Sequence, residues 1–201
     1  MFSLCAVNGT SLCARRAVAA VALALAFPFG LTGCIERPWQ EAAATARRSV
    51  DRNTLGDVLV AQLPQDMVPV GAVFGGAAEL VGYRIEPRIL VPGERARLTL
   101  YWRSRAELEA WHIFVHLDDA NGGGERIHAE HDPAEGRYPT DAWRPGDLIA
   151  DPVLFVPGHN PLFLYLGFFT QGDNRLPLSS AGRGRDDGSS RLFAGVLSPT
   201  P

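Results

Sequence analysis

Four of the five histidines in this 201-residue chain, His112, His116, His128 and His131, fall within twenty residues, among Asp118, Asp119, Glu130 and Asp132. Imidazoles beside carboxylates are the donor set of zinc-type sites and of general acid–base catalysis. Spacing limits what they can do. On a strand, at about 3.3 Å per residue, positions four apart stand roughly 13 Å apart, so His112 and His116 cannot share one ion. A metal site would have to join His116 to His128 or His131 from a neighbouring strand. The alternative is a set of solvated or hydrogen-bonded histidines on a sheet face, and that reading is preferred: no metal and no other cofactor is expected.

Other chemistry is thinly supplied. All nineteen basic residues are arginine, which removes the P-loop lysine, Schiff-base lysines and lysine general bases. No Gly-x-Ser-x-Gly occurs, the serines sit in loop-like segments, and no glycine-rich motif follows a strand and opens a helix. The run Asp118-Asp119-Ala120-Asn121-Gly122-Gly123-Gly124-Glu125 has acids around glycines, as calcium loops do, but not the spacing of an EF-hand. A hairpin with acidic ends is expected there. No catalytic residues are assigned, and the chain is read as a non-enzyme. A formal net charge of −3 gives no broad basic surface for nucleic acid.

The remaining candidate is a binding face. If a strand at Ala96–Trp102 pairs with one at Trp111–Asp118, then Thr99, Tyr101 and Arg103 lie beside His112, Phe114 and His116 as a polar-aromatic platform suited to sugar rings or a partner protein. Tyr138 and Trp143 could add to it from a loop. Alternatively those two pin the loop to the core, or an amino-terminal helix covers the face.

These side chains need a scaffold, and from Gly71 onward the pattern is strand-like: short alternating apolar runs divided by Gly, Pro, Asn and Asp. Val81, Tyr83 and Ile85 share one face. Leu98, Leu100 and Trp102 share another, and Trp111, Ile113, Val115 and Leu117 a third. Further strands are expected near Arg126–Glu130, Ile149–Val156, Leu162–Thr170 and Leu192–Leu197. Leu162–Phe169 is apolar throughout, which predicts a central strand covered on both faces, with a helix at Leu55–Leu63 overlying it. Ser179–Ser190 reads as a mobile loop. About seven to nine strands make an all-β, antiparallel β-sandwich of immunoglobulin-like type at residues 70–198, with 199–201 a tail.

Before the sandwich, residues 34–69 read as a helical tether. Gln40–Ser49 is an alanine-rich polar helix, and Thr54 with Asp57 looks like a capping box opening a helix through Leu55, Val58, Leu59 and Leu63. That helix could dock on the sandwich or form part of a free linker. Residues 1–33 read as an export leader: Arg15-Arg16, then an apolar run at Ala17–Gly30, then Leu31-Thr32-Gly33-Cys34. At about fourteen residues the run is shorter than the roughly 20 that span a bilayer.

Leu31-Thr32-Gly33-Cys34 resembles the lipobox of bacterial lipoproteins. The resemblance implies cleavage before Cys34, acylation of its thiol, and a durable membrane anchor of two or three chains. Ile35, rather than aspartate, follows it, which fits sorting to an outer membrane. Removing the leader takes two arginines and no acids, leaving seventeen basic and twenty-two acidic residues and a net charge of −5. Cys5 and Cys13 leave with it. The folded part then has no free thiol for a disulfide.

Within the sandwich, Phe114-Val115-His116-Leu117-Asp118, His131-Asp132-Pro133 and Gly136-Arg137-Tyr138-Pro139-Thr140-Asp141-Ala142-Trp143-Arg144-Pro145-Gly146-Asp147-Leu148-Ile149-Ala150-Asp151 resemble an uncharacterised β-sandwich module of bacterial lipoproteins and exported domains. The resemblance implies an immunoglobulin-like fold and no activity; His131-Asp132 reverses that module's Asp-His order. The expectation is therefore a lipid-anchored, extracytoplasmic binding or envelope-assembly module in the cell envelope, contacting membrane through Cys34 and an envelope protein or glycan through its surface. A metal- or carboxylate-dependent hydrolase of envelope polymers, or a structural spacer, are the alternatives.

Overall fold

The computed structural model describes residues 38–170 and 174–200. The apolar run at 17–30 and Cys34 lie outside the described residues. Two five-stranded antiparallel sheets face each other around one apolar core, with one α-helix before them among the described residues. The strands are β1 Val68–Phe74, β2 Ala78–Glu86, β3 Ala96–Ser104, β4 His112–Asp119, β5 Ile127–His128, β6 Leu148–Phe155, β7 Leu162–Phe169, β8 Leu178–Ser180, β9 Arg185–Asp186 and β10 Leu192–Leu197. Sheet one runs β6-β3-β2-β1-β8 and sheet two β5-β4-β7-β10-β9. The expected all-β sandwich is present, with seven long strands and three of two or three residues at sheet edges, where shortness blunts unwanted pairing.

Alternation builds the core. Leu98, Leu100 and Trp102 of β3 and Ile113, Val115 and Leu117 of β4 are fully buried, each set projecting from one face of its strand. Trp102 lies 4.8 Å from Phe168 and 6.1 Å from Phe74 between ring centroids, joining the two sheets. On β2 the alternation shifts. Leu80 pairs with Trp102 and Tyr83 with Leu100, so Val81 is an extra residue in a bulge, and Leu80 as well as Tyr83 points inward. Gly71, opposite the bulge on β1, has φ +73°, a conformation glycine adopts without a Cβ penalty.

The amino-terminal segment differs from expectation. Helix α1, Pro38–Ser49, is present, and Ala43 is fully buried. No capping box at Thr54 follows. Asp51 instead caps a 3₁₀ turn at Arg52–Thr54 by accepting from the Asn53 N–H, and a single further turn follows, in which the Val58 and Leu59 N–H groups donate to the Leu55 carbonyl. Leu59 bridges Ile149, Val60 N–H donates to Leu148, and Ala150 N–H donates to Val58. Leu55 and Val58 are thereby buried against the sandwich at the β6 edge. The segment docks, but as one turn and a single bridge to the β6 edge and not as the expected helix, so that edge backbone groups at Leu148 and Ala150 find partners.

Strand β7 is central, as expected, but the Leu55–Leu63 segment does not overlie it. Phe163, Tyr165 and Phe193 stack on its outer face, with Arg191 3.9 Å over the Tyr165 ring and Arg185 4.8 Å over Phe193. Aromatic and guanidinium groups replace the helix. The expected mobile loop at Ser179–Ser190 instead contains β9 and the end of β8, paired to β10 and β1.

Candidate functional site

The expected platform divides. Strand β3 pairs with β2 and β6, whereas β4 pairs with β5 and β7 in the other sheet, so Thr99, Tyr101 and Arg103 do not adjoin His112, Phe114 and His116. Residues 105–111 cross between sheets instead of closing a hairpin. Tyr138 and Trp143 leave the face altogether: they are 1% and 0% exposed. Trp143 Nε1–H donates to the Tyr138 carbonyl at 2.9 Å, and the Tyr138 hydroxyl donates to Asp147 and accepts from Arg52 at 2.6 Å. Thr140 Oγ1 accepts from the Trp111 N–H and donates to the Glu109 carbonyl, both at 2.7 Å. The loop that looked like a recognition surface is a clasp.

On sheet one, Tyr101 and Thr99 floor a groove of about 310 Å³ whose wall is the docked segment at Asp57, Val60, Gln62 and Pro64. Arg84, Arg97 and Arg137 ring it with Asp57 and Glu86. Arg137 makes two bonds to Asp57, at 2.9 and 2.7 Å, which hold the Asp57 carboxyl below the usual aspartate range. Arg84 Nη2 stands 2.8 Å from Glu86, while its buried Nε has no partner. Arg97 is exposed and its guanidinium has no ion pair among the described residues. Burial pushes the Tyr101 phenol up, with the Arg84 charge opposing. Arg103, expected here, is held with Arg105 by Glu79 at 3.3 and 3.1 Å.

On sheet two, the segment after β5 keeps register with β4: His116 faces His128, and Ile113 faces His131. Outward positions of β4, namely His112, Phe114 and His116, therefore stand opposite Asp132, Glu130 and His128. His112 Nδ1 lies 2.5 Å from Asp132. Glu130 Oε1 lies 3.0 Å from both His116 Nε2 and His128 Nδ1. Burial pushes His116 down, only partly offset by Glu130. For Glu130 burial acts upward, but bonds from both histidines outweigh it and its pKa is lowered. The Phe114 ring crosses Gly167, where a Cβ would come within 2.6 Å of it, and Arg175 caps that ring at 5.0 Å.

His131 takes the inward position and joins neither group. Its Nδ1 faces the Ala129 carbonyl at 3.0 Å and its Nε2 the fully buried Asp151 at 2.9 Å. Burial disfavours the imidazolium, but Asp151 prevails and the His131 pKa is raised. Asp118 and Asp119 form the expected acidic hairpin: Arg126 binds Asp118 twice, and Asp119 accepts from Asn121 N–H and Asn160, both at 2.8 Å.

Sequence reasoning named His116 and His128 and missed Glu130 as their partner. The signal was present, since positions two apart on a strand share a face. Nothing local marked Arg84, Arg97 and Arg137 as neighbours, because each comes from a different element.

No protein-family model matches the chain, and no curated protein does. Among solved structures, one described as the crystal structure of the C-terminal domain of Wzt is similar. Its TM-score is 0.41 at 14% identity, covering 66% of this chain and 86% of that one. No described helix is long and apolar enough to cross a membrane.

Proposed function

We propose that this protein is a lipid-anchored, extracytoplasmic binding module, not an enzyme, and that it takes an anionic saccharide of the cell envelope in the groove of sheet one. The observation that carries the reading is Arg97, without an ion pair among the described residues, beside Arg84 and Arg137 over a floor of Tyr101 and Thr99. Three guanidinium groups against two carboxylates leave this groove net positive in a mature chain of net charge −5, and a cleft concentrates such a field. Guanidinium groups bind carboxylates and phosphates in two-pronged geometry, and a tyrosine edge with a threonine suits sugar hydroxyls. The anchor rests on Leu31-Thr32-Gly33-Cys34 after the apolar run.

Titration calorimetry with uronic-acid oligosaccharides and their neutral counterparts tests the groove. The anionic series should bind, the neutral series at least about tenfold more weakly, and Arg97→Ala should cost about ten- to a hundredfold, the size of one charge-assisted hydrogen bond. Equal affinity for both series, or an indifferent Arg97→Ala, would refute it. For the anchor, Cys34→Ser should abolish labelled fatty-acid incorporation and move the protein out of the membrane fraction.

A further inference from the structure

We infer that His116 Nε2, His128 Nδ1 and Glu130 Oε1 form a site for a divalent cation of the zinc class on the outer face of β4 and the segment that begins with β5. The site shares no residue with the sheet-one groove and does not depend on what that groove binds.

The backbone assembles the three ligands. His116 and His128 are directly opposed across the β4–β5 ladder, which brings cross-strand side chains to within about 5 Å, and Glu130 follows His128 by two residues on the same face. The three ligand atoms lie within 4.8 Å of one another, and Glu130 Oε1 is 3.0 Å from each imidazole nitrogen. Metal–ligand bonds of about 2.0–2.2 Å place the corners of a tetrahedron roughly 3.3 Å apart, so small side-chain rotations close the set around one ion. The cation takes the place of the hydrogen bonds between the two rings and the carboxylate.

The surroundings fit an open coordination site. His116 is 8% exposed and backed by the Phe114 ring at 4.9 Å, giving one rigid ligand, while His128 and Glu130 are exposed and leave an entry path. A cleft of about 120 Å³ lined by Phe114, His116, Glu130, Phe169 and Arg175 adjoins the ligands and leaves room for a fourth, a water or an anion. Arg126 is bound to Asp118, which Arg191 also approaches at 3.6 Å, and the guanidinium of Arg175, lying over Phe114 in the lining of the cleft, favours an anion in that fourth place. Two imidazoles and one carboxylate select zinc, cobalt, nickel or copper; calcium and magnesium need more oxygen ligands than these.

The test is equilibrium dialysis of the untagged, metal-stripped full chain against zinc, with bound metal counted per chain. One zinc per chain is expected, unaffected by excess calcium or magnesium. Cobalt should give the visible absorption of a tetrahedral complex, bleached by zinc. His128→Ala and Glu130→Gln change exposed side chains and should each weaken binding by at least about tenfold, since even outer-shell partners are worth that much. His159→Ala should leave it unchanged. Uptake far below one ion per chain at saturating zinc would overturn the proposal. So would uptake that both ligand variants leave intact, which would mean an adventitious ion elsewhere.

Discussion

At the residue scale, Asp151 shows how a histidine can be taken out of reach of metal or substrate. Both His131 nitrogens face oxygen atoms, the Ala129 carbonyl and Asp151, an arrangement that favours the doubly protonated ring and raises its pKa. Asp151 in turn accepts from the Ala134 N–H at 2.8 Å and lies 3.4 Å from Trp102 Nε1. Each Asp151 oxygen and each His131 nitrogen has a partner, which is what a charged pair needs in order to persist in a core. Replacing Asp151 by asparagine keeps the volume but turns an amide N–H toward a donor and strips the ring of its counter-charge. Asp151→Asn should cost about 3–5 kcal/mol of stability, the range for breaking one side of a buried ion pair. Urea denaturation followed by tryptophan fluorescence reads it, and a loss below about 1 kcal/mol would contradict a charged His131–Asp151 pair.

At the element scale, the loop from Gly136 to Asp147 owes its unusual composition to holding the docked segment. Arg52 binds both Asp147 oxygens, at 2.8 and 3.0 Å, and the Tyr138 hydroxyl completes the triad. Burial acts to raise the Asp147 pKa, but the bonds from Arg52 and Tyr138 outweigh it and hold it below the ordinary aspartate range. A lowered folded-state pKa adds stability above the unfolded value and loses it as pH falls through the folded one. Asp147→Asn should therefore cost about 2–3 kcal/mol at neutral pH. The gap in melting temperature from the native chain should shrink as pH falls beneath the usual aspartate range; a gap independent of pH would exclude this carboxylate as its source. Tyr138 and Trp143 illustrate why the loop left two readings open, of which pinning to the core is the one the structure shows: polar and aromatic residues in a loop have the same composition whether they bind a partner or each other. Strand faces were legible for the opposite reason. Leu98, Leu100 and Trp102 alternate with Arg97, Thr99 and Tyr101 because a half-buried sheet enforces a period of two, and that period is local. Pairing is not local. Consecutive strands are neighbours about two-thirds of the time, and the β3 to β4 crossing is one of the exceptions, which is why Tyr101 and His112 were expected together. Only the length of the 105–111 connection hinted at it.

At the scale of the whole molecule, the segment before β1 is part of the fold and not a spacer in front of it. Residues 43 to 60 bury Ala43, Leu55 and Val58 and pair with the first half of β6. They also place Arg52 on Asp147 and Asp57 on Arg137. Burial of one Leu or Val side chain is worth about 1.5–3 kcal/mol, so Leu55 and Val58 alone account for several kcal/mol, a large part of the 5–15 kcal/mol typical of a domain. Without the segment, the open β6 edge would also lengthen toward Leu154 and Val156, which are already 53% and 49% exposed, and an open apolar edge promotes association. A chain beginning at Gln65 should therefore melt well below one beginning at Glu36, or associate, as read by calorimetry and light scattering. Removing the segment also removes one wall of the sheet-one groove, so saccharide affinity should fall with it while zinc uptake at His116, His128 and Glu130 persists as long as the shorter chain stays folded. A truncated chain that melts like the longer one would return the segment to the role of a free tether.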